Sequence, residues 1–176
     1  MARIQYPDLG GDPEIRAAAE AVDKARDGAL PNLYRMLLHE PSLATTWLRL
    51  GSWLRYRGRL DDRTRELIIC RVGARTRSAY ELHHHSPLVL AAGVSQAQLD
   101  ALDHPEPPRG LFTDRERDLI HYADAVLAAA VTDRHTTAVR RWLADAELVE
   151  LTGLVAYYLA VSRFLAAMAV EVEAVH

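Results

Sequence analysis

The sequence predicts an all-α protein, and three observations carry this prediction. Nearly every segment has apolar residues at helical spacing, and capping residues, proline or glycine separate one segment from the next. No useful length of chain alternates apolar and polar residues as a half-buried strand does. The 176 residues are enough to bury a core, and neither side of the proline-containing loop at 104–110 offers an independent one. We therefore expect a single domain spanning 1–176.

The first part of the chain is predicted to form three helices. Asp12 is placed to cap a helix over 13–28, and Pro13 occupies its first turn. A short amphipathic piece covers 32–39. The next helix covers 42–56, and its apolar residues at helical spacing predict that one stripe of it enters the core. That stripe consists of Leu43, Trp47, Leu50 and Leu54, with Trp53 beside it.

Capping signals also open the later helices. Asp61 or Asp62 starts a helix over 62–75, and the helix over 78–92 is stopped by Gly93. Two capping boxes follow, in which a hydroxyl residue precedes Gln or Glu by three positions. They are Ser95 with Gln98 and Thr113 with Glu116. The remaining predicted helices cover 95–102, 115–131, 132–144 and 145–173.

Composition limits the class of protein. A hydrophobic content of 49% with 26% charged residues is ordinary for a globular protein, and a formal net charge of −3 gives no reason to expect binding to nucleic acid or anionic membranes. The start of the chain lacks the apolar stretch of a signal peptide. The most apolar segment, 148–170, is interrupted by Glu150 and Arg163. We expect a cytoplasmic protein without a membrane span.

Three residues could exchange protons. Glu81 and His85 stand four positions apart on one predicted helix and share a face, and Glu66 lies on the preceding antiparallel helix. Two carboxylates beside an imidazole should raise its pKa and can take up and return a proton near neutral pH. The alternative is a buried ion pair that only locks the two helices together.

Three segments resemble the core pattern of a known family. Arg-Glu-Leu-Ile-Ile at 65–69, Tyr-Glu-Leu-His-His-His-Ser-Pro at 80–87 and Ala-Ala-Gly-Val-Ser at 91–95 are similar to the carboxymuconolactone decarboxylase family, which includes the alkylhydroperoxidase D proteins. The run at 150–159 resembles the closing helix of longer members. The resemblance implies the alkylhydroperoxidase D-like helical fold, with a central antiparallel hairpin and a core motif over 62–102.

The resemblance also separates two functions. Peroxidase members carry a glutamate before a CxxC motif and a histidine after it, and here Glu66 and His85 fall on that glutamate and histidine. Ser78 and Glu81 fall on the two cysteines. A serine hydroxyl cannot reduce a peroxide or close a disulfide. The lone Cys70 lies one helical turn after Glu66, and we predict a buried and unreactive core cysteine rather than a substitute nucleophile.

The function implied by the resemblance is acid–base chemistry on a small organic acid or lactone, without metal or cofactor. His85 would donate or accept the proton, Glu66 would orient it, and Glu81 would act as a second acid–base group or hold the substrate. Tyr80 and His84 are predicted at the substrate's edge, although an aromatic residue there is more often packing. The alternative function is a peroxidase-like protein or its non-catalytic descendant.

The sequence also leads to predictions about metal binding and assembly. Glu81 and His85 have the spacing of helical metal ligands, but no second ligand cluster is evident, so we predict no metal site. His83 should point to another face, because consecutive helix positions are about 100° apart. The resemblance implies a homotrimer or homohexamer. A small-residue stripe near Tyr157 and Tyr158 fits a subunit contact, and it fits packing within the chain equally well.

Overall fold

The computed structural model describes residues 1–26 and 28–173, and no strand occurs in these ranges. The predicted all-α class is confirmed. The helices within the described ranges are α1 Pro13–Ala25, α2 Asn32–Leu37, α3 Pro41–Tyr56, α4 Asp62–Thr76, α5 Ala79–Ala91, α6 Gln96–Ala101, α7 Asp114–Leu127, α8 Asp133–Val139 and α9 Asp145–Met168. Contacts divide the chain into two compact units, 1–58 with 164–176 and 59–163.

The predicted starts of the helices are confirmed, whereas several of them end earlier than predicted. Asp12, Asp61, Ser95 and Thr113 each accept a hydrogen bond from a backbone N–H of the first turn, and both capping boxes are formed. Left-handed residues end two of the helices. Ala129 has φ 52° just after α7, and Ala169 has φ 49° just after α9. Alanine gives no sequence signal for this conformation, which explains why the predictions for α7 and α9 extend too far.

The first unit contains α1, α2 and α3. The α1 helix packs on α3 through its buried residues Ala18, Ala19 and Val22. Near the other end of the chain, Glu173 accepts a hydrogen bond from the backbone N–H of Asn32 at 2.6 Å. This unit therefore combines the first helices with the last residues of α9 and the chain that follows them.

The predicted stripe of α3 is wrong in its register. Leu43, Leu50 and Trp53 are exposed by 42%, 52% and 45%, and only Leu54 of the predicted stripe is among the buried residues. The buried face consists of Ala44, Leu48, Gly51 and Leu54. The apolar side chains of α3 lie on more than one face of the helix, so its periodicity is compatible with two different buried faces. The smaller side chains lie on the buried face because they permit close approach of another helix.

The second unit is built around the antiparallel hairpin of α4 and α5. Ser78 caps α5 and accepts a hydrogen bond from the backbone N–H of Glu81 at 3.4 Å. Arg77, in the left-handed conformation with φ 55°, makes the corner between the helices. A Cβ on Gly73 would lie 3.3 Å from Leu82 Cδ2, which shows how closely the two helices approach. The predicted central hairpin is confirmed.

Two arginines of α4 tie the hairpin to its neighbours. The guanidinium of Arg71, which is fully buried, binds Asp124 of α7 at 2.6 and 2.9 Å and also donates to the His104 carbonyl at 2.6 Å. Arg63 donates to Glu116 of α7 at 2.8 Å and to Gln98 of α6 at 3.2 Å. These charge-assisted bonds fix α4, and with it the residues that α4 presents to α5.

The long helix α9 is apolar enough and long enough to cross a membrane by length and composition alone. A helix in the core of a globular protein passes the same test. In this chain Leu151, Leu154 and Val155 are at most 1% exposed. The carboxylate of Glu150 accepts hydrogen bonds from the backbone N–H groups of Arg59 and Leu60 at 2.6 and 3.2 Å. The first part of α9 is thus packed within the second unit.

Candidate active site

The hairpin brings the three predicted acid–base residues together. Glu66 lies in the second turn of α4, and Glu81 and His85 lie on one face of α5. Their exposed fractions are only 3%, 4% and 5%. We call Glu66, Glu81 and His85 the acid–base cluster. Burial of this kind strengthens every interaction among the three groups, because water does not screen them.

The two ring nitrogens of His85 face different carboxylates. Nδ1 lies 2.6 Å from Oε2 of Glu66, and Nε2 lies 3.7 Å from Oε2 of Glu81. An ionised carboxylate only accepts hydrogen bonds, so the short contact assigns a proton to Nδ1. The Glu81 distance exceeds a hydrogen bond but lies within the range of an ion pair. His85 is therefore held through Nδ1, while Nε2 points towards the second carboxylate.

Arg65 is a member of this network that the sequence predictions missed. Its Nε donates to Oε1 of Glu66 at 3.3 Å, and its terminal nitrogen binds Asp62 at 2.9 Å. Neighbouring helix positions point in different directions, so adjacency to Glu66 in sequence gave no sign of this contact. The length of the arginine side chain lets it bend back to its own neighbour. Glu66 is thus held at both of its oxygens.

Cys70 is buried beside the cluster, as predicted. Its exposed fraction is 0%, and burial, together with the charges of Glu66 and Glu81, raises the pKa of its thiol to about 12. The thiolate is the nucleophilic form of cysteine, and at neutral pH a thiol with this pKa supplies almost none of it. The prediction of an unreactive core cysteine fits this environment.

An aromatic ring of α9 contacts the cluster. Tyr158 of α9 meets the His85 ring edge to face, with centroids 5.2 Å apart. Tyr80 is buried, and its ring centroid lies 4.6 Å from that of His84, whereas His83 is exposed. Tyr157 and Tyr158 are both buried within the chain, which favours the intramolecular alternative for this stretch. The role of Tyr80 and His84 in substrate binding stays a prediction.

Two further features help to locate the site. Among the described residues, no group of three or more His, Cys, Asp or Glu side chains is arranged to hold a metal ion.

A groove of about 530 Å³ lies along another face of α5, and Leu82, Leu90 and Leu99 are part of its lining. None of the three cluster residues lines this groove. The acid–base cluster therefore lies outside this groove.

Solved structures share this fold at low sequence identity. An alkylhydroperoxidase AhpD core, a peroxidase-related protein from Ralstonia eutropha JMP134, matches with a TM-score of 0.81 and 19% identity, covering 98% of this chain and 92% of that chain. A peroxidase-related protein from Silicibacter sp. TM1040 matches with a TM-score of 0.80 and 15% identity over the same shares. The debrominase Bmp8 matches with a TM-score of 0.77 and 17% identity, again covering 98% and 92%.

Sequence comparison agrees with the structural likeness. No curated protein matches the chain significantly. Residues 41–125, which include the whole hairpin, match the model of the Carboxymuconolactone decarboxylase family. The predicted core motif lies within that range. The chain therefore resembles the Carboxymuconolactone decarboxylase family over residues 41–125, and it has the all-helical fold of the AhpD-like structures.

Proposed function

We propose that this protein is an acid–base enzyme of the lyase type that acts on a small organic acid or lactone. The observation that carries the proposal is the buried cluster in which His85 contacts Glu66 through Nδ1 at 2.6 Å and faces Glu81 through Nε2 at 3.7 Å. Buried acid–base sets of this kind are concentrated at functional sites. The chain's own side chains supply the proton chemistry in this scheme.

The proposed mechanism assigns the proton transfer to Nε2 of His85. Loss of carbon dioxide leaves a carbanion or enolate, which must be stabilised and then protonated. An imidazolium at His85 supplies a positive charge for the first task and a proton for the second. Glu66 balances that charge at Nδ1, because a carboxylate at this distance favours the protonated ring.

Glu81 completes the scheme as the second acid–base group. Its carboxylate lies on the Nε2 side of His85, where the reacting part of a substrate would be placed. It can return a proton to the imidazole or hold a hydroxyl group of the substrate. Tyr80 and His84, whose rings contact each other at 4.6 Å, are proposed to border the bound substrate.

The peroxidase alternative is weaker in this chain for chemical reasons. Peroxide reduction by these proteins needs a reactive thiolate and a second sulfur. Cys70 is the only cysteine, and its thiol is fully buried with a pKa of about 12. Ser78, at the position of one cysteine in the family pattern, is used as the helix cap of α5.

One assay compares the two functions. The native protein is incubated with a panel of carboxylated unsaturated lactones that includes γ-carboxymuconolactone, and carbon dioxide release is followed together with the ultraviolet spectrum. A parallel reaction contains an organic hydroperoxide and a dithiol. We expect turnover in the lactone panel and none in the peroxide reaction. Peroxide turnover that is abolished by Cys70→Ser, without turnover of the panel, would reverse the assignment.

A further inference from the structure

We infer that the chain binds a second copy of itself through two different surfaces: the exposed face of α3 on one copy enters the groove beside α5 on the other. The first surface, which we call the α3 face, consists of Leu43, Arg49, Leu50, Trp53 and Arg57. The second is the groove of about 530 Å³, which we call the α5–α6 groove because both helices line it. Each surface lies within one compact unit of the chain. The inference concerns assembly and does not depend on the proposed acid–base chemistry.

The α3 face is apolar where the outer face of a helix is normally polar. Leu43, Leu50 and Trp53 are exposed by 42%, 52% and 45%. Spacings of seven and three positions place these side chains on one stripe of the helix. The opposite face of α3 is already buried within the chain. The stripe therefore offers the apolar anchors with which a helix binds a groove on a partner.

The α5–α6 groove has the shape and length to accept this stripe. Its α5 wall consists of Ala79, Leu82, Ser86 and Leu90, so two small side chains alternate with two leucines, and α6 contributes Leu99. The small residues leave room between the leucines for side chains of another helix. The α5 wall rises by about 16 Å and the apolar stripe of α3 by about 15 Å, at 1.5 Å per residue.

The charges of the two surfaces are complementary. The α3 helix contains no acidic residue, and its exposed face carries Arg49 and, just after the last turn, Arg57. Asp100 and Asp103, one helical turn apart, line the groove with Arg77, so these three side chains carry a net charge of −1. Two α3 faces would repel each other, whereas an α3 face and a groove attract. This difference favours a contact between unlike surfaces over a contact between two α3 faces.

The test is the sedimentation velocity of the full chain over a concentration range of about 1–200 µM. Trp53→Glu places a negative charge in the α3 face, and Leu90→Arg places a positive charge in the groove. Each variant alone should raise the dissociation constant of the native assembly by at least about tenfold, because an apolar anchor is replaced by a charge that the opposite surface repels. Val149→Glu and Val149→Arg are the matched controls, since Val149 is 72% exposed on α9 outside both surfaces.

Mixing the two variants tests whether the two surfaces bind each other. The Trp53→Glu chain keeps a native groove, and the Leu90→Arg chain keeps a native α3 face. An equimolar mixture should therefore form a one-to-one complex at concentrations where each variant alone is monomeric. Far-ultraviolet circular dichroism shows that both variants are folded, as expected for substitutions of side chains that are 45% and 37% exposed.

Three outcomes would overturn the inference. The first is a native chain that remains monomeric over the whole concentration range. The second is an assembly that only one of the two folded variants weakens, because both surfaces take part in every contact of the proposed kind. The third is a mixture of the two variants that forms no complex.

Discussion

His85 combines near-complete burial with two carboxylate neighbours, so its removal has a calculable effect on stability. His85→Ala leaves Glu66 and Glu81 buried without the imidazole, and breaking a buried pair in this way costs about 3–5 kcal/mol. His85→Gln retains a group that can donate to Glu66, and it should cost less. The free energy of unfolding is measured by urea denaturation at pH 7.

The exposed His83 on the same helix is the matched control for this experiment. His83→Ala should change the free energy of unfolding by no more than about 0.5 kcal/mol. If His85→Ala costs as little as His83→Ala, the cluster is not the coupled buried set that the distances of 2.6 and 3.7 Å indicate.

The thiol of Cys70 gives a second prediction at the residue scale. Because its pKa is raised to about 12 and its side chain is fully buried, it should not react with a disulfide reagent in the folded protein at pH 8. One thiol per chain should react after unfolding in urea. Release of the chromophore from the reagent measures both states, and fast modification of the native protein would contradict the burial described for Cys70.

At the scale of single helices, the contact between α4 and α5 depends on Gly73. An added Cβ there would lie 3.3 Å from Leu82 Cδ2 and 3.4 Å from the Cβ of Glu81. Gly73→Ala should therefore push the helices apart and destabilise the protein by about 1–3 kcal/mol, despite the better helix propensity of alanine. Gly153→Ala in α9, where an added Cβ would meet no atom within 4 Å beyond its own stretch of helix, should instead stabilise by about 1 kcal/mol. Urea denaturation of both variants checks the contrast, and equal stabilisation would refute the close contact.

The start of α7 gives a prediction that depends on pH. Burial alone would raise the pKa of Glu116, but hydrogen bonds from Thr113 and Arg63 outweigh it and lower the pKa below the ordinary value of 4.5. Because the pKa of Glu116 is lower in the folded protein than in the unfolded chain, its ionised carboxylate stabilises the fold above pH 4.5. This stabilisation is lost as the pH falls through the pKa of the folded state. Glu116→Gln should therefore lower the thermal midpoint at pH 7, and the difference from the native protein should shrink in acid.

The exposed residue Glu20 provides the control for that series. Glu20→Gln should leave the thermal midpoint close to native at every pH. A difference for Glu116→Gln that stays constant from pH 7 to below 4.5 would show that the ionised carboxylate contributes nothing.

The helices themselves show how far sequence reasoning reaches. Starts are predictable, because a cap such as Asp12 or Ser95 has a local chemical task that the sequence displays. The ends of α7 and α9 are not predictable in this way, since Ala129 and Ala169 adopt a left-handed conformation that alanine does not favour. The face of α3 was also missed, because its apolar residues surround the helix and only packing selects the buried side.

In the candidate site, too, some features have a local sequence signal and others do not. Glu81 and His85 were predictable from their spacing, and Glu66 from its place in the preceding helix. The contact of Arg65 with Glu66 required the side-chain conformation, and the ring of Tyr158 comes from a helix far along the chain. Local periodicity carries no information on either contact.

At the scale of the whole molecule, the family resemblance and the proposed acid–base function both depend on the hairpin. The family match over 41–125 contains α4 and α5 complete, and these two helices carry all three cluster residues. In the family resemblance, Ser78 and Glu81 fall on the two cysteine positions of the peroxidase pattern. Assembly into a trimer or hexamer stays a prediction from the family resemblance.

The central claim is that the cluster performs chemistry rather than only joining two helices. The most direct measurement compares turnover of the proposed lactone substrate, corrected for the folded fraction, in the native protein and in Glu66→Gln, Glu81→Gln and His85→Gln. We predict that His85→Gln loses at least about 10²-fold in rate while remaining folded, because its amide cannot transfer a proton, and that both glutamate variants are also slower. Three folded variants with native turnover would contradict the claim and reduce the cluster to a structural ion pair.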